Sequence, residues 1–309
     1  MTETGNSTQT FSLDPLLPPQ MAEACERIGI KKAHLNLPSL FVLSVLAGAF
    51  IALGAALFTV TITDSGLGYG PTRVVGGVAF SLGLVLVVVA GAELFTGNAL
   101  IVMAWANRKV PTHLLLRNWG VVFAGNFVGA SLTALLVYSS KQWEFGDSAV
   151  AGTALKIANG KVNLDFGQAV ALGILCNGLV TLAVWLTLSA RSNIDKIVSL
   201  VFPITAFVAA GFEHSIANMY FIPLGILLKG NESAAAAAGL TSGDLSNLTW
   251  GNFLAHNLLP VTIGNVIGGV VLVGIVYWFV YLRPGVVAPP ARGAVTSKTA
   301  PLELEDAAA

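Results

Sequence analysis

The chain has 309 residues, of which 55% are apolar and only 10% are charged, and its formal net charge is zero. Because ordinary soluble domains carry roughly 25% charged residues, this composition indicates a protein whose solvent is lipid. The absence of a basic block excludes nucleic acid as a partner. Cys25 lies in a polar stretch and Cys176 in an apolar one, so we expect two free thiols, no disulfide and no metal site.

The first part of the chain, residues 1–37, is a polar arm without an apolar core. We therefore expect no cleavable secretory signal, and the first span should act as the insertion signal. Met21, Cys25 and Ile28 recur at helical spacing and predict a short amphipathic helix over residues 20–30. Two interpretations stay open: this helix lies against the membrane or the pore mouth, or it is a surface helix with no role in transport.

Six apolar stretches follow, and each is long enough to cross a bilayer, which takes about 20 residues. They cover residues 38 to 62, 74 to 107, 118 to 140, 166 to 190, 197 to 228 and 248 to 282, which together define a membrane domain over 38–282. Eleven of the 16 Lys and Arg residues lie on the side that holds both termini, and five lie on the other side. This asymmetry predicts cytoplasmic termini and a location in the inner membrane. Residues 283–309, rich in Pro and Ala, predict a disordered cytoplasmic tail.

The second and fifth stretches are too long for straight membrane helices. Residues 74 to 107 are interrupted only by Glu93, and a straight helix of that length would measure about 50 Å, against a hydrocarbon layer of about 30 Å. The fifth stretch is interrupted by Glu213 and His214. Acidic residues at such depth favour a broken helix whose free backbone groups line a wet cavity. We therefore predict a break in both helices.

The two interruptions share the pattern G-x-E-x-x-x-x-N at a constant offset of 120 residues. Four residues of the third span also recur in the sixth at an offset of 139, namely Asn118, Gly125, Asn126 and Gly129 with Asn257, Gly264, Asn265 and Gly268. Three-span halves must then lie in opposite orientations. We predict an all-α fold with an inverted repeat of three plus three helices, in which Glu93, Asn98 and Asn218 hold the broken loops. For both glutamates, Glu93 and Glu213, direct contact with a substrate or proton stays open beside this structural role.

Four stretches of the sequence resemble the formate/nitrite transporter family. These are Glu93–Thr96, Leu172–Asn177 with the following Leu182–Trp185, Gly211–Met219 and Asn257–Gly269. The segments Leu16–Met21 and Tyr277–Leu282 look closest to the formate-channel branch of that family. The resemblance covers nearly the whole membrane part. It implies an aquaporin-like protomer, a homopentamer with one pore per protomer, and transport of formate, nitrite or another short monocarboxylate without a cofactor.

The resemblance also implies roles for individual residues. His214 matches the central pore histidine of the family, and Thr96 matches the threonine in the loop that interrupts the second span. Asn177 and Asn265 match asparagines near that histidine. Lys161 matches a vestibule lysine and Glu213 the acidic neighbour of the histidine. Two apolar constrictions are implied by the matching residues Phe80, Leu84, Leu94, Phe95 and Phe207.

A central histidine suits the passage of a small anion through an apolar pore. A bare anion pays a large dehydration penalty there, whereas the neutral acid formed by adding a proton pays far less. Because histidine titrates near neutrality, His214 would either donate that proton or attract the anion as a cation. Both schemes stay open, and protons are an expected partner in either.

Two other functions are the alternatives. An aquaporin-like channel for neutral solutes shares this architecture but uses Asn-Pro-Ala turns, whereas Asn98 is followed by Ala and Asn218 by Met. An intramembrane enzyme would use Glu213 and His214 as an acid–base pair. The sequence has no Gly-x-Ser-x-Gly and no His-Glu-x-x-His pattern, so we expect no enzymatic activity.

Overall fold

The computed structural model describes residues 14–284, and the regular structure in that range is helical. The first 13 residues of the N-terminal arm and the predicted disordered tail from residue 285 onward lie outside the described residues. Besides a separate 3₁₀ turn at Gln142–Glu144, the described chain forms α1 (Pro18–Ala33), α2 (Leu37–Ile62), α3 (Tyr69–Ala90), α4 (Gly97–Ala106, which is 3₁₀ over Gly97–Ile101), α5 (Thr112–Ser139), α6 (Ala149–Val162), α7 (Phe166–Thr187), α8 (Asn193–Ala209), α9 (Ser215–Leu228), α10 (Glu232–Ala238) and α11 (Trp250–Tyr281).

Five of these helices, α2, α3, α5, α7 and α11, are long and apolar enough to cross a membrane. The predicted all-α membrane fold is therefore confirmed. The fifth predicted span consists of two consecutive helices, α8 and α9, and α9 has 14 residues. The total of six crossings accordingly stays a prediction.

Both predicted breaks are present. The second span is divided into α3 and α4 by residues 91–96, and the fifth is divided into α8 and α9 by residues 210–214. Each break follows a first helix that ends in an apolar run, so the polar loop residues are drawn into the protein interior and away from lipid. There their backbone groups find the partners that lipid lacks.

The helices α3 and α5 begin before the predicted spans, and in each of them an arginine near the start donates to backbone carbonyl groups of another segment. We predicted that the second span begins at residue 74, but α3 already begins at Tyr69. Arg73 extends its guanidinium to the carbonyl oxygens of Val208 and Ala209, so its charge does not end the helix. Likewise α5 begins at Thr112, six residues before the predicted start of the third span.

The connection between residues 141 and 165, for which no helix was predicted, contains α6. Ala151, Leu155 and Ala158 are fully buried along one face of this helix, and α6 packs against α9. In the other half of the chain, α1 packs against α4 in the same way. Each half therefore has a helix directly before its first span, α1 before α2 and α6 before α7.

Glycines allow two pairs of long helices to cross in close contact. A Cβ atom on Gly129 of α5 would overlap the carbonyl oxygen of Val45 in α2. A Cβ atom on Gly264 of α11 would overlap the carbonyl oxygen of Val170 in α7. The α2–α5 and α7–α11 crossings are thus equivalent, as the inverted repeat requires, and small residues are what close membrane-helix packing uses.

Candidate functional site

A glycine in the left-handed region ends the first helix at each break. Gly91 follows α3 with φ of +84°, and Gly211 follows the end of α8 with φ of +76°. Residues with a Cβ atom adopt this conformation at a cost, so glycine is the usual helix terminator there. This requirement explains the first position of the repeated G-x-E-x-x-x-x-N pattern.

A lysine, a buried glutamate and two asparagines form a polar cluster at the first break. Lys32 Nζ lies 2.6 Å from Glu93 Oε1, and Asn98 Nδ2 donates to Glu93 Oε2 at 2.7 Å. Asn98 Nδ2 also donates to Asn118 Oδ1 at 2.9 Å. Asn118 in turn donates to the backbone oxygen of Lys32 at 3.1 Å. The buried carboxylate is thus both ion-paired and hydrogen-bonded, as a charge at this depth must be.

An equivalent cluster forms at the second break. Lys161 Nζ lies 2.6 Å from Glu213 Oε1, and Asn218 Nδ2 donates to Glu213 Oε2 at 2.7 Å. Asn218 Nδ2 also donates to Asn257 Oδ1 at 2.7 Å, and Asn257 donates to the backbone oxygen of Lys161 at 2.9 Å. The two clusters therefore repeat the same bonds, and the glutamate–asparagine pairs anchor each loop to the helix that follows it.

A second asparagine binds the backbone of the first loop. Asn126 accepts a hydrogen bond from the backbone nitrogen of Phe95 at 2.9 Å. Its side-chain nitrogen donates to the backbone oxygens of Glu93 at 3.0 Å and of Ser44 at 2.7 Å. One amide side chain thereby satisfies two backbone groups of the loop that a continuous helix would have paired internally, and it ties the loop to α2 at Ser44.

Asn265 has the same function at the second loop. It accepts from the backbone nitrogen of Ser215 at 2.9 Å and donates to the backbone oxygens of Glu213 and Gly173, both at 2.9 Å. Asn177 lies next to it and donates to the backbone oxygen of Asn265 at 2.7 Å. The side-chain oxygen of Asn177 is buried without a hydrogen-bond partner among the described residues, which leaves an acceptor available there.

His214 caps the N-terminus of α9. Its Nδ1 accepts the backbone N–H of Ala217 at 3.1 Å, and its Nε2 lies 3.0 Å from Thr96 Oγ1. Because Nδ1 accepts, the neutral ring carries its proton on Nε2 and donates it toward Thr96. The ring also stacks near Phe207, with 5.9 Å between centroids. The histidine of one half and the threonine of the other thus meet directly.

A cavity of about 270 Å³, here called the Lys161 cavity, reaches His214 from one side. Lys161 and Glu213 line it together with the histidine. Phe80 and Phe207 also line it, and their rings meet edge to face with 5.7 Å between centroids. The structure therefore brings the predicted lysine, glutamate, histidine and one pair of constriction residues to a single cavity.

A second cavity of about 660 Å³, here called the Lys32 cavity, lies at the other break. Lys32, Glu93 and Asn98 contribute its polar wall, and Leu84 and Leu94 contribute to its apolar wall. The two leucines predicted for a constriction thus lie in the half of the chain opposite to that of the histidine.

Phe95 lies differently from the other predicted constriction residues. It lines neither of the two cavities, and its ring packs edge to face against Phe123 at 5.0 Å and Trp119 at 6.5 Å between centroids. In this conformation Phe95 fixes the first loop against α5. Thr96, the next residue, is fully buried and reaches the histidine instead.

Sequence analysis gave no role to three residues that complete the clusters. Asn118 and Asn257 were recognised only as equivalent positions, and Lys32 was counted only as a cytoplasmic charge. A signal for Lys32 was present, because Lys32 and Lys161 differ by 129 residues, as do Leu43 and Leu172. The carbonyl oxygens of those two leucines accept the backbone N–H groups of the two break glutamates at 3.2 and 3.3 Å.

Comparison of the sequence with known proteins gives consistent relatives. The formate channel FocA of Escherichia coli (strain K12) is 44% identical over 273 residues, which cover 87% of this chain and 96% of the relative. The uncharacterized transporter YrhG of Bacillus subtilis (strain 168) is 42% identical over 270 residues, which cover 85% of this chain and 93% of that protein.

Comparison with solved structures gives the same fold. A pentameric formate channel with formate bound superposes with a TM-score of 0.72 at 40% identity, covering 80% of this chain and 98% of that chain. An FNT family ion channel superposes with a TM-score of 0.73 at 27% identity, covering 84% and 98%. The profile described as formate/nitrite transporter matches residues 19–279. The chain is thus a multi-pass membrane protein that belongs to the formate/nitrite transporter family.

Proposed function

We propose that this protein is a transmembrane channel for formate and similar small monovalent anions, with nitrite and other short monocarboxylates as further substrates. The observation that carries the proposal is the position of His214. Its ring caps α9 at a break within the membrane domain, faces a cavity that holds a lysine, and contacts the threonine of the opposite break. The relatives described as formate channels support the choice of substrate.

The hydrogen bonds of His214 favour the scheme in which the ring passes a proton to the anion over the scheme in which a permanently cationic ring attracts it. Its Nδ1 accepts the N–H of Ala217, so the ring rests in the neutral state and offers an Nε2–H to an anion. Donation of a proton requires the cationic ring, and the cation forms only when the bond to Ala217 opens. In this scheme the neutral ring first orients the anion. A proton drawn from the wet cavity then passes through the ring and neutralises the anion for the apolar constriction.

The remaining polar residues have two roles in this proposal. Thr96 and Asn177 offer hydrogen-bonding groups beside the histidine, and the unpaired side-chain oxygen of Asn177 suits a protonated acid. Asn265 and Glu213 hold the second loop, and Lys161 neutralises the glutamate and presents its ammonium group to an anion inside the cavity. Glu93, Asn98 and Asn218 hold the broken loops through the bonds described above.

Apolar side chains form the two proposed constrictions around this site. Phe80 and Phe207 would close the pathway on the Lys161 side, and Leu84 and Leu94 would close it on the Lys32 side. For Phe95 we propose a role in closing the second constriction by movement of its loop. The protein needs no cofactor for this activity.

The proposed assembly follows the resemblance and the charge distribution. Six crossings, with spans two and five broken, place both termini in the cytoplasm and the protein in the inner membrane, because eleven of the 16 basic residues then lie inside. Residues 1–37 form a cytoplasmic arm, 38–282 the channel domain and 283–309 the tail. We propose a homopentamer, the state named for a solved structure that is 40% identical.

The two alternatives have less support. The matched relatives are described as formate channels and transporters, not as enzymes or water channels. Glu213 is held by Lys161 and Asn218 in a structural cluster, so it does not form the acid–base pair with His214 that an enzyme would need.

A liposome assay tests the proposal. Purified protein is reconstituted, and the flux of formate, nitrite, acetate and hydrosulfide is measured at several pH values. We expect formate flux well above that of protein-free liposomes. Water flux without anion flux would instead indicate the neutral-solute channel, and a wild-type protein that conducts no anion would overturn the proposed function.

A further inference from the structure

Arg73 holds a guanidinium group at the wall of the Lys161 cavity. Its Nε donates to the carbonyl oxygen of Ala209 at 3.2 Å, and its Nη2 donates to that of Val208 at 2.6 Å. The guanidinium carbon also lies 5.7 Å from the ring centroid of Phe58. Two hydrogen bonds and one aromatic ring therefore fix the orientation of this side chain.

The fixed guanidinium has donors to spare. Arginine carries five N–H groups in one plane, and only two bonds from Arg73 to other described residues are formed. Its partners are the last carbonyl groups of α8, the negative end of the helix dipole, and Val208 and Gly211 line the cavity beside it. Without Arg73, this helix end would repel an anion.

The charge balance of the cavity also depends on Arg73. The cavity is lined by the ion pair of Lys161 and Glu213, which is neutral as a unit, and by two further cations, Arg73 and Lys156. Among the described residues, no carboxylate forms an ion pair or a hydrogen bond with Arg73 or Lys156. The excess positive charge therefore comes from these two residues, and the arginine stays charged at every physiological pH.

Arg73 lies seven residues before Phe80 on α3, so the two share one face of the helix and are about 10 Å apart along its axis. Phe80 is the residue nearer to the end of α3, and its ring meets that of Phe207, which stacks near His214. An anion in this cavity can therefore be held by the guanidinium before it reaches the pair of phenylalanine rings.

We propose that Arg73 is an outer docking residue for the transported anion, a binding role separate from that of Lys161. The free edge of its guanidinium binds a small carboxylate through two parallel N–H···O bonds, a geometry that arginine favours, ahead of the constriction. This inference rests on the proposed function. It assigns the first binding step on the Lys161 side to a residue outside the two glutamate clusters.

The test compares three variants: Arg73→Gln, Arg73→Lys and Lys156→Gln. Initial rates of formate flux are measured against formate concentration in right-side-out and inside-out membrane vesicles. For Arg73→Gln we expect a rise of about tenfold in the half-saturating formate concentration, only from the side that faces the Lys161 cavity, with a maximal rate near that of the wild type. For Arg73→Lys we expect an intermediate half-saturating concentration, because lysine keeps the positive charge but lacks the two parallel N–H donors of a guanidinium.

Lys156→Gln is the matched control, because it removes the same charge from the same cavity without touching α8. We expect a smaller rise than for Arg73→Gln. Equal rises in both variants, equal rises from both sides, or an unchanged half-saturating concentration in Arg73→Gln would overturn the proposal. A loss of maximal rate alone would assign Arg73 a purely structural role and would overturn it as well.

Two further measurements keep the outcomes separate. If Arg73→Gln does not assemble, as judged by size-exclusion chromatography, the test rests on Arg73→Lys. A half-saturating concentration of Arg73→Lys equal to that of the wild type then overturns the proposal. Failure of the proposed function is distinguishable, because it appears as absent formate flux in the wild type, whereas failure of this inference leaves wild-type flux intact.

Discussion

Thr96 and His214 are 118 residues apart in the sequence, yet Thr96 Oγ1 lies 3.0 Å from His214 Nε2 in the protein interior. Each belongs to a different broken helix, so this contact joins the two halves of the inverted repeat at their breaks. The other ring nitrogen of His214 accepts the N–H of Ala217. The histidine therefore has a structural bond on one nitrogen and a donor on the other that an anion can use.

Replacing His214 with Asn should remove the pH response of formate flux. Asparagine is among the best N-terminal caps, so its side-chain oxygen keeps the bond to Ala217 and α9 stays intact. Asparagine does not titrate, whereas histidine changes charge near neutrality. We expect flux in liposomes to become independent of pH between about 5.5 and 7.5.

His256→Asn is the control for this substitution, because His256 is exposed near the start of α11. It should keep the wild-type pH response. An unchanged pH response in His214→Asn would remove His214 from the mechanism.

Removing Lys161 alone from its ion pair with Glu213 should cost more stability than neutralising both partners. The side chains are only 16% and 6% exposed. Lys161→Met leaves a buried carboxylate without its cation, and we expect a loss of about 3 kcal/mol in the free energy of unfolding. Glu213→Gln in the same chain should recover part of this loss, since a neutral amide needs no counter-charge. Denaturant unfolding in detergent, followed by tryptophan fluorescence, measures both.

Lys141→Met serves as the comparison, because Lys141 pairs with Glu144 at the surface with 70% of its side chain exposed. Its unfolding midpoint should match that of the wild type. A double variant that is less stable than Lys161→Met would show that the glutamate has a stabilising role independent of the lysine.

The spans and the breaks could be predicted because they depend on length and hydropathy, which the sequence shows directly. Residues 74 to 107 exceed the bilayer thickness, so the break near Glu93 followed from geometry alone. The repeated Glu and Asn positions also predicted which side chains hold each loop. The long-range partners, such as Lys32 with Glu93, had no local pattern to show them, and only the 129-residue offset between Lys32 and Lys161 pointed to the equivalence of the two lysines.

The helix starts at Arg73 and Arg117 were missed for one reason. The partners of these polar residues lie far away in the sequence, so a local pattern does not show them. Arg73 and Arg117 were expected to lie at or outside helix ends, but each donates to carbonyl oxygens of another segment and stays within a helix. The helix α6 was missed because its buried face is short and consists mostly of small residues. Lys156 and Lys161 also interrupt its apolar sequence.

Replacing Gly91 with Ala should destabilise the protein without any steric clash. A Cβ atom there would meet nothing within 4 Å, so the φ of +84° is the only source of strain. We expect a loss of about 1 kcal/mol. Gly178→Ala is the matched control, because Gly178 also has open space but lies within α7. Alanine is favoured in a helix interior, so this variant should gain up to about 1 kcal/mol.

Equal unfolding midpoints for the two alanine variants would contradict the role of the left-handed glycine at the break. The comparison is sharp because both variants add the same methyl group, and only the backbone conformation of the site differs.

Cys25 should be unreactive while α1 is docked. Burial raises the pKa of its thiol from 9.0 to about 12, and the thiolate is the reactive species. A raised pKa in the folded state also means that stability from the neutral thiol is complete below pH 9 and is lost as the pH rises from 9 toward about 12. In a Cys176→Ala background, which isolates Cys25, N-ethylmaleimide at about pH 8 should label the detergent-folded protein hardly at all and the unfolded chain fully.

The docking of α1 depends on Glu26, whose carboxylate lies 2.6 Å from Lys109 Nζ and accepts a hydrogen bond from Asn107. Glu26→Gln removes the charge that holds Lys109, so α1 should detach more often and expose Cys25. We expect faster labelling of this variant than of its parent, as measured by mass spectrometry over time. Because label is added only to the open population, the ratio of the two rates gives the change in the stability of the docked α1 that the substitution causes. Rapid labelling of the parent would contradict the buried position of Cys25, and equal slow rates would show that Glu26 does not hold the helix.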